Sequence, residues 1–217
     1  MELFFMGWTS LFLNMEKKKV LILGSGEVGQ RRALKFLDAH SKVIITGGTV
    51  PEKLLKLGAL EKPVNELEKW IEWADLVVVA SGDNDLNAKA AALGKNKLLN
   101  RADYPLEGNI IVPTSFSVGD AQISIFTGGK SPLMARMLRK KIQEAIKDAD
   151  LLQIELQHYA RQLLKDRVID QKKRRVHLYQ IFNNPEIIKL LNEGELKEAK
   201  SLVRKYLNKI NGTTHDF

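Results

Sequence analysis

The chain of 217 residues has no cysteine, which excludes disulfides, thiolate metal centres and cysteine nucleophiles together. No apolar run approaches the roughly 20 residues that a membrane span requires. The first 14 residues are apolar, yet they lack the basic n-region and small-residue cleavage site of a signal peptide. The expectation is a cytoplasmic protein without a membrane partner, in which residues 10–15 make a short strand. His40, His158, His177 and His215 stand at no metal-ligand spacing, and no Ser-His-Asp arrangement is present. No resident metal is expected. Aromatic residues are scarce at 7%, and none interrupts the basic run 172–175, which weakens a nucleic-acid reading. No internal repeat or low-complexity segment is visible.

What is present fits a globular chain. The length suits one large domain or a domain with an appendage, and the apolar fraction of 44% is ordinary. The net charge of +8 is unevenly placed: residues 136–217 hold 18 Lys and Arg against 11 Asp and Glu, the first 135 only 16 against 15. A near-neutral module is therefore joined to a basic region. Such a region suits a polyanion, whether nucleic acid, membrane surface or small molecule, or else is a solvated surface with no partner.

The most informative stretch is 20–29, V-L-I-L-G-S-G-E-V-G. An apolar strand ends in Gly24, Ser25 and Gly26, then Glu27, Val28 and Gly29 open an amphipathic helix. Gly24 permits a tight turn, Gly26 lets the backbone approach a pyrophosphate, and Gly29 lets helix and strand pack closely. Phosphates would sit over the unpaired N–H groups of the helix start. A second strand, 42–46, ends in Thr46, Gly47, Gly48 and Thr49, with no acid for an adenosine ribose and no arginine for a 2′-phosphate. That turn favours neither NAD nor NADP. A short helix over 50–57, a strand over 59–64 and a helix around Leu67, Trp70, Ile71 and Ala74 follow. The strand 76–80 is fully apolar and therefore central. It ends in Ser81 and Gly82, which can bring backbone close to a ribose or nicotinamide, with Asp83 or Asn84 capping the next helix. A further strand over 97–100 leads to Asp103. Strands alternating with helices at this spacing give a parallel sheet with right-handed crossovers.

Beyond it the pattern changes. Residues 115–118 and 121–126 alternate around Gly119-Asp120 as a hairpin. Thr127, Gly128, Gly129, Lys130 and Ser131 then open a helix, with Ser131 as N-cap and Pro132 at its first position. From Asp150 onward the pattern is helical throughout, with Asn184-Pro185 starting one late helix and Gly194 ending it. The expected architecture is a Rossmann-type α/β domain over 1–113, a small α+β segment over 114–149, and a helical domain over 150–217.

Two places could do chemistry. Asp103 lies past the carboxyl end of a strand, where open α/β sheets bind ligands, and could take a proton from a substrate; the residues alone favour a turn residue before Tyr104-Pro105. The 127–131 loop joins two glycines, a helix start and a lysine, which suits a carboxylate or phosphate, though it could be a plain connection.

Taken together, these motifs resemble the precorrin-2 dehydrogenase family, the siroheme synthase N-terminal type. The resemblance covers about 11–207 and rests on Leu11-Phe12-Leu13, the glycine turn followed by Arg31-Arg32, A-S-G-D-N-D-L-N at 80–87, Asn100-Arg101-Ala102-Asp103, and T-G-G-K-S-P-L-M-A-R-M-L-R at 127–139. It implies NAD-dependent oxidation of precorrin-2 to sirohydrochlorin in a homodimer; some members also insert iron, as a ferrochelatase of siroheme biosynthesis. It further implies that Asp103 is the key acid and that Gly24, Ser25, Gly26, Glu27, Val28, Thr46, Gly47, Gly48, Thr49, Ser81 and Gly82 contact the dinucleotide. Thr127, Gly128, Gly129, Lys130 and Ser131 would contact the substrate, whose eight carboxylates suit a basic region and a helix start. Gly29 stands where many members have alanine, and the Thr46-Gly47-Gly48 turn replaces their Pro-containing one. A bifunctional dehydrogenase and chelatase, and a non-enzymatic nucleotide sensor with a basic tail, are the competing readings.

Overall fold

A computed structural model describes residues 7–211. The chain divides into two compact units, Met1–Pro113 with Gly128–Lys130, and Thr114–Thr127 with Ser131–Phe217. The first is an open parallel sheet. Its strands, β1 (Lys19–Leu23), β2 (Lys42–Thr46), β3 (Leu60–Glu61), β4 (Leu76–Val79) and β5 (Leu98–Arg101), lie in the order β3-β2-β1-β4-β5. This is the doubly wound arrangement in which the order reverses beside β1.

Strand composition explains the order. Val20, Leu21, Ile22 and Leu23 of β1 and all of β4 are fully buried, so these strands take the centre. Alternate residues then serve opposite faces. Val20, Ile22 and Val78 pack with Ala33 and Phe36 of α1 (Glu27–Asp38), Leu54 of α2 (Glu52–Lys56), and Ile110 and Val112 of the segment after β5. Leu21, Leu23, Val77 and Val79 pack with Leu67 and Ile71 of α3 (Leu67–Trp73) and Ala90 of α4 (Asn84–Leu93). Each such side chain is worth about 1.5–3 kcal/mol of burial, which makes the centre of the sheet its most rigid part.

The second unit starts with an antiparallel hairpin, β6 (Thr114–Val118) and β7 (Ala121–Ile125), turned at Gly119 with φ +53°. The helices α5 (Pro132–Ala145), α6 (Asp148–Lys165), α7 (Gln171–Phe182), α8 (Pro185–Asn192) and α9 (Leu196–Asn211) follow. Leu156, Ala160 and Leu164 of α6, Ile181 of α7, Ile187 and Leu191 of α8, and Ala199, Val203 and Leu207 of α9 form its core. Side chains cap several starts: Ser131 accepts from the Met134 N–H, Asp170 from Lys172 and Lys173, and Asn184 from Glu186 and Ile187.

Three local expectations change. Residues 10–15 form no strand, and Leu11 and Phe12 are exposed, so this apolar segment finds no edge to pair with among the described residues. The strand expected over 59–64 shrinks to Leu60–Glu61, because Pro63 offers no N–H to a ladder. The helical stretch after Asp150 breaks at 166–170, where Asp170 caps a new start, a signal that the sequence carried in plain view. His215 lies outside the described residues.

Candidate functional site

The loops after β1, β2, β4 and β5 meet at the carboxyl edge of the sheet through a chain of backbone hydrogen bonds. The Gly24 N–H donates to the Thr46 carbonyl at 2.8 Å, Ala80 to Leu23 at 2.8 Å, and Ala102 to Val79 at 2.8 Å. The predicted cofactor residues are thereby brought together, and Asp103 joins the same edge. It follows β5, two strands from β1, or roughly 10 Å at the usual strand spacing.

Each glycine of the first loop has a different geometric duty. A methyl group on Gly24 would lie 2.4 Å from the Ala80 carbonyl oxygen, and its φ of +106° suits glycine alone. A methyl on Gly29 would lie 2.0 Å from the Gly24 carbonyl oxygen, so α1 is pressed directly onto its own loop. At Gly26 a methyl would meet nothing within 4 Å, which leaves open space over the start of α1. Gly26 is also the N-cap of α1 and brings no side chain to the first N–H groups. The donors at the head of this 12-residue helix are therefore left for an anion. These features fit a dinucleotide pyrophosphate.

The second loop packs closely against the first. A methyl on Gly48 would lie 2.2 Å from the Ser25 hydroxyl, while the Gln30 side-chain amide donates to the Ser25 carbonyl at 2.7 Å. Gly47, Gly48 and Thr49 are exposed, and Thr46 is fully buried. The third loop is held from beneath. The Ser81 hydroxyl donates to Asn87 Oδ1 at 2.6 Å, and Asn87 Nδ2 donates to the Ser81 carbonyl at 3.0 Å. Asn87, almost fully buried on α4, is a positioning residue that sequence reasoning quoted within a motif without giving it a role. Gly82 remains exposed, with open space where a side chain would project.

Asp103 is not a free turn carboxylate. Arg101 Nε donates to Asp103 Oδ1 at 2.8 Å and Arg101 Nη2 to Oδ2 at 2.7 Å, a two-pronged grip. The third arm, Nη1, donates to Glu107 at 2.9 Å, and the guanidinium lies 5.1 Å from the centre of the Tyr104 ring. Partial burial raises the Asp103 pKa, but the Arg101 hydrogen bonds, backbone N–H groups and the Arg101 charge outweigh it. The carboxyl is held below its ordinary range. Arg101 is raised in turn, first by its hydrogen bond to Asp103. Arg101, also missed as a functional residue, was legible only as the residue two before an acid.

In the 127–131 loop, Gly128 and Gly129 take φ of +65° and +75°, and Lys130 is exposed. The Thr127 hydroxyl donates to the Ser131 carbonyl at 3.2 Å, and Ser131 caps α5. Thr127 and Ser131 belong to the second unit and Gly128–Lys130 to the first. A groove lined by Asp75, Lys97 and Asn109 opens at the amino edge of the sheet, away from the loops where such folds bind ligands.

A family described as "Putative NAD(P)-binding" matches residues 11–114, and one described as "Sirohaem biosynthesis protein central" matches 119–145. A protein of Methanocaldococcus jannaschii named "Putative precorrin-2 dehydrogenase" is 32% identical over 212 residues, spanning 91% of this chain and 97% of that one. The chain belongs to the precorrin-2 dehydrogenase family. A Methanosarcina barkeri protein named "Precorrin-2 dehydrogenase" is 27% identical over 212 residues, 91% of this chain and 94% of its own. The solved structure titled "SirC, precorrin-2 dehydrogenase" shares the fold at a TM-score of 0.72 and 21% identity, covering 92% of this chain and all of that one. An alanine at position 29 would not fit the present loop without a shift of Gly24.

Proposed function

We propose that this chain oxidises precorrin-2 to sirohydrochlorin with NAD, acting as a cytoplasmic homodimer. The reading rests on one coincidence: a cradle shaped for a dinucleotide and a clamped carboxylate occupy the same sheet edge in a chain of this family. Gly24, Ser25, Gly26, Glu27 and Val28 would hold the pyrophosphate, the 46–49 turn the adenosine end, and Ser81 with Gly82 the nicotinamide end. Bound there, the cofactor supplies the acceptor for two electrons and one hydrogen of the macrocycle.

Asp103 handles the remaining proton. Arg101 and the backbone N–H groups of Asp103 and Tyr104 keep its carboxyl ionised. A macrocycle that has lost hydride is cationic, so its proton is acidic and even a weak base can receive it. The same negative charge favours the cation as it develops. Thr127, Gly128, Gly129, Lys130 and Ser131 are assigned to substrate acid groups. Among the described residues no helix is long and apolar enough to cross a membrane.

The test is spectrophotometric, following NADH formation from precorrin-2. Asp103→Asn should lose turnover by roughly 10²–10⁴-fold while binding NAD with wild-type affinity in calorimetry. Undiminished turnover in that variant would remove Asp103 from the chemistry, and no turnover in wild type would remove the reaction. A parallel assay of sirohydrochlorin with ferrous iron separates a dehydrogenase from a bifunctional enzyme.

A further inference from the structure

Arg32 is a cation that meets no counter-charge among the described residues. It is half-buried on α1, its Nε is sealed from solvent with no hydrogen-bond partner, and among the described residues no carboxylate pairs with it. Its neighbour Arg31 is paired with Glu27, at 3.7 Å. Lys35, three residues on and so on the same face of the helix, adds a second half-buried positive charge. Burial lowers Arg32 to about 10, with Arg31 adding to the effect, and burial followed by the Arg32 charge lowers Lys35. A guanidinium drawn out of water with no hydrogen-bonded counter-charge costs stability unless an anion arrives.

The position of the pair indicates which anion. The Lys35 ammonium donates to the Pro113 carbonyl at 3.2 Å, and Ile110 and Val112 pack against the same core cluster as α1. That 109–113 segment rests on β5, through Asn109 to Leu99 at 2.7 Å and Asn100 to Ile110 at 3.0 Å. The Arg32 and Lys35 face of α1 is therefore turned toward β5, the strand that Asp103 follows, and away from the 46–49 turn assigned to adenosine. Arg32 is the sixth residue of its helix, about 7.5 Å along the axis from the head that serves the pyrophosphate. It also lies nearer the carboxyl edge of the sheet than Lys35.

We infer that Arg32, with Lys35 behind it, is a carboxylate-binding site that receives one acid side chain of the tetrapyrrole and fixes the macrocycle relative to Asp103. This rests on the precorrin-2 reading above and adds a substrate contact on the nucleotide-binding unit itself. Arginine suits the task because its planar fork can grip a carboxylate with two hydrogen bonds where lysine offers a point charge.

The experiment is steady-state kinetics on the full chain with precorrin-2 and NAD varied separately, alongside thermal melting and light scattering. Arg32→Gln keeps the aliphatic stem and removes the charge. It should raise the KM for precorrin-2 about tenfold, the usual worth of one charge-assisted contact, while the KM for NAD stays within twofold. Its melting temperature should hold or rise, since an uncompensated charge has been removed. Arg32→Lys should fall between the two. An unchanged KM for precorrin-2 overturns the inference. So does a rise in the KM for NAD alone, which would assign the guanidinium to the pyrophosphate. Dissociation of the oligomer or a lower melting temperature with substrate affinity intact overturns it as well, marking a structural pairing. Failure of the wild-type chain to oxidise precorrin-2 would instead sink the functional reading, and this inference with it.

Discussion

The first helix of the sheet unit and three helices of the helical unit begin by different means. In the helical unit, Ser131, Asp170 and Asn184 satisfy the N–H groups at the starts of α5, α7 and α8 with their own side chains. In the nucleotide-binding unit, α1 begins at Gly26 with no side-chain cap, beside a loop where added methyls would collide at Gly24 and Gly29 but not at Gly26. Three helix starts of the helical unit are met by their own side chains, whereas the head of α1 in the sheet unit meets none. A capped helix start adds stability; an uncapped one surrounded by rigid strands is a receptor.

That contrast can be broken from either side. The largest expected effect on stability is in the helical unit: Leu164→Ala, at a fully buried position, should destabilise by about 2–5 kcal/mol in denaturant titration. NAD affinity of the folded fraction should stay within twofold, and a parallel loss would mean that the two units do not divide their labour. Gly29→Ala should act in the opposite sense. A forced shift of Gly24 costs about 1–3 kcal/mol of stability, and NAD affinity should fall at least tenfold by calorimetry. An alanine variant with wild-type affinity would show that the loop relaxes freely.

The smallest effect concerns pH. In the folded protein the Asp103 carboxyl titrates below its ordinary value, so the clamp contributes stability that is present above the unfolded pKa and lost as pH falls through the folded one. Asp103→Asn should therefore flatten the melting-temperature profile below about pH 4 and leave its slope near neutrality unchanged. Identical acid limbs in the two proteins would mean that Arg101 does not hold Asp103 in solution as tightly as its two short hydrogen bonds imply.

Much of this was legible in the order of residues because the signals are local. An uncharged run before Gly24 predicts a buried parallel strand, Ser131-Pro132 predicts a helix start, and Gly119-Asp120 predicts a hairpin; all three hold. Residues 10–15 misled because strand formation needs a partner edge, which no local pattern supplies. Asp103 was visible as an acid past a strand, yet its state was not, since a bidentate grip depends on the directions of two side chains leaving the end of β5. Asn87 and Arg32 were hidden for a related reason: the first matters through the loop lying over it, and the second stands out because no carboxylate among the described residues pairs with it.

Sequence by itself determined the alternation of strands and helices, the glycine turn and the family, because each depends on residue type at short range or on many positions summed. Tertiary structure alone decided which glycine leaves room for a ligand, which hydroxyl is already committed, and which charges meet a partner. Those outcomes depend on distances of a few ångströms between segments tens of residues apart, and spacing along the chain does not encode them.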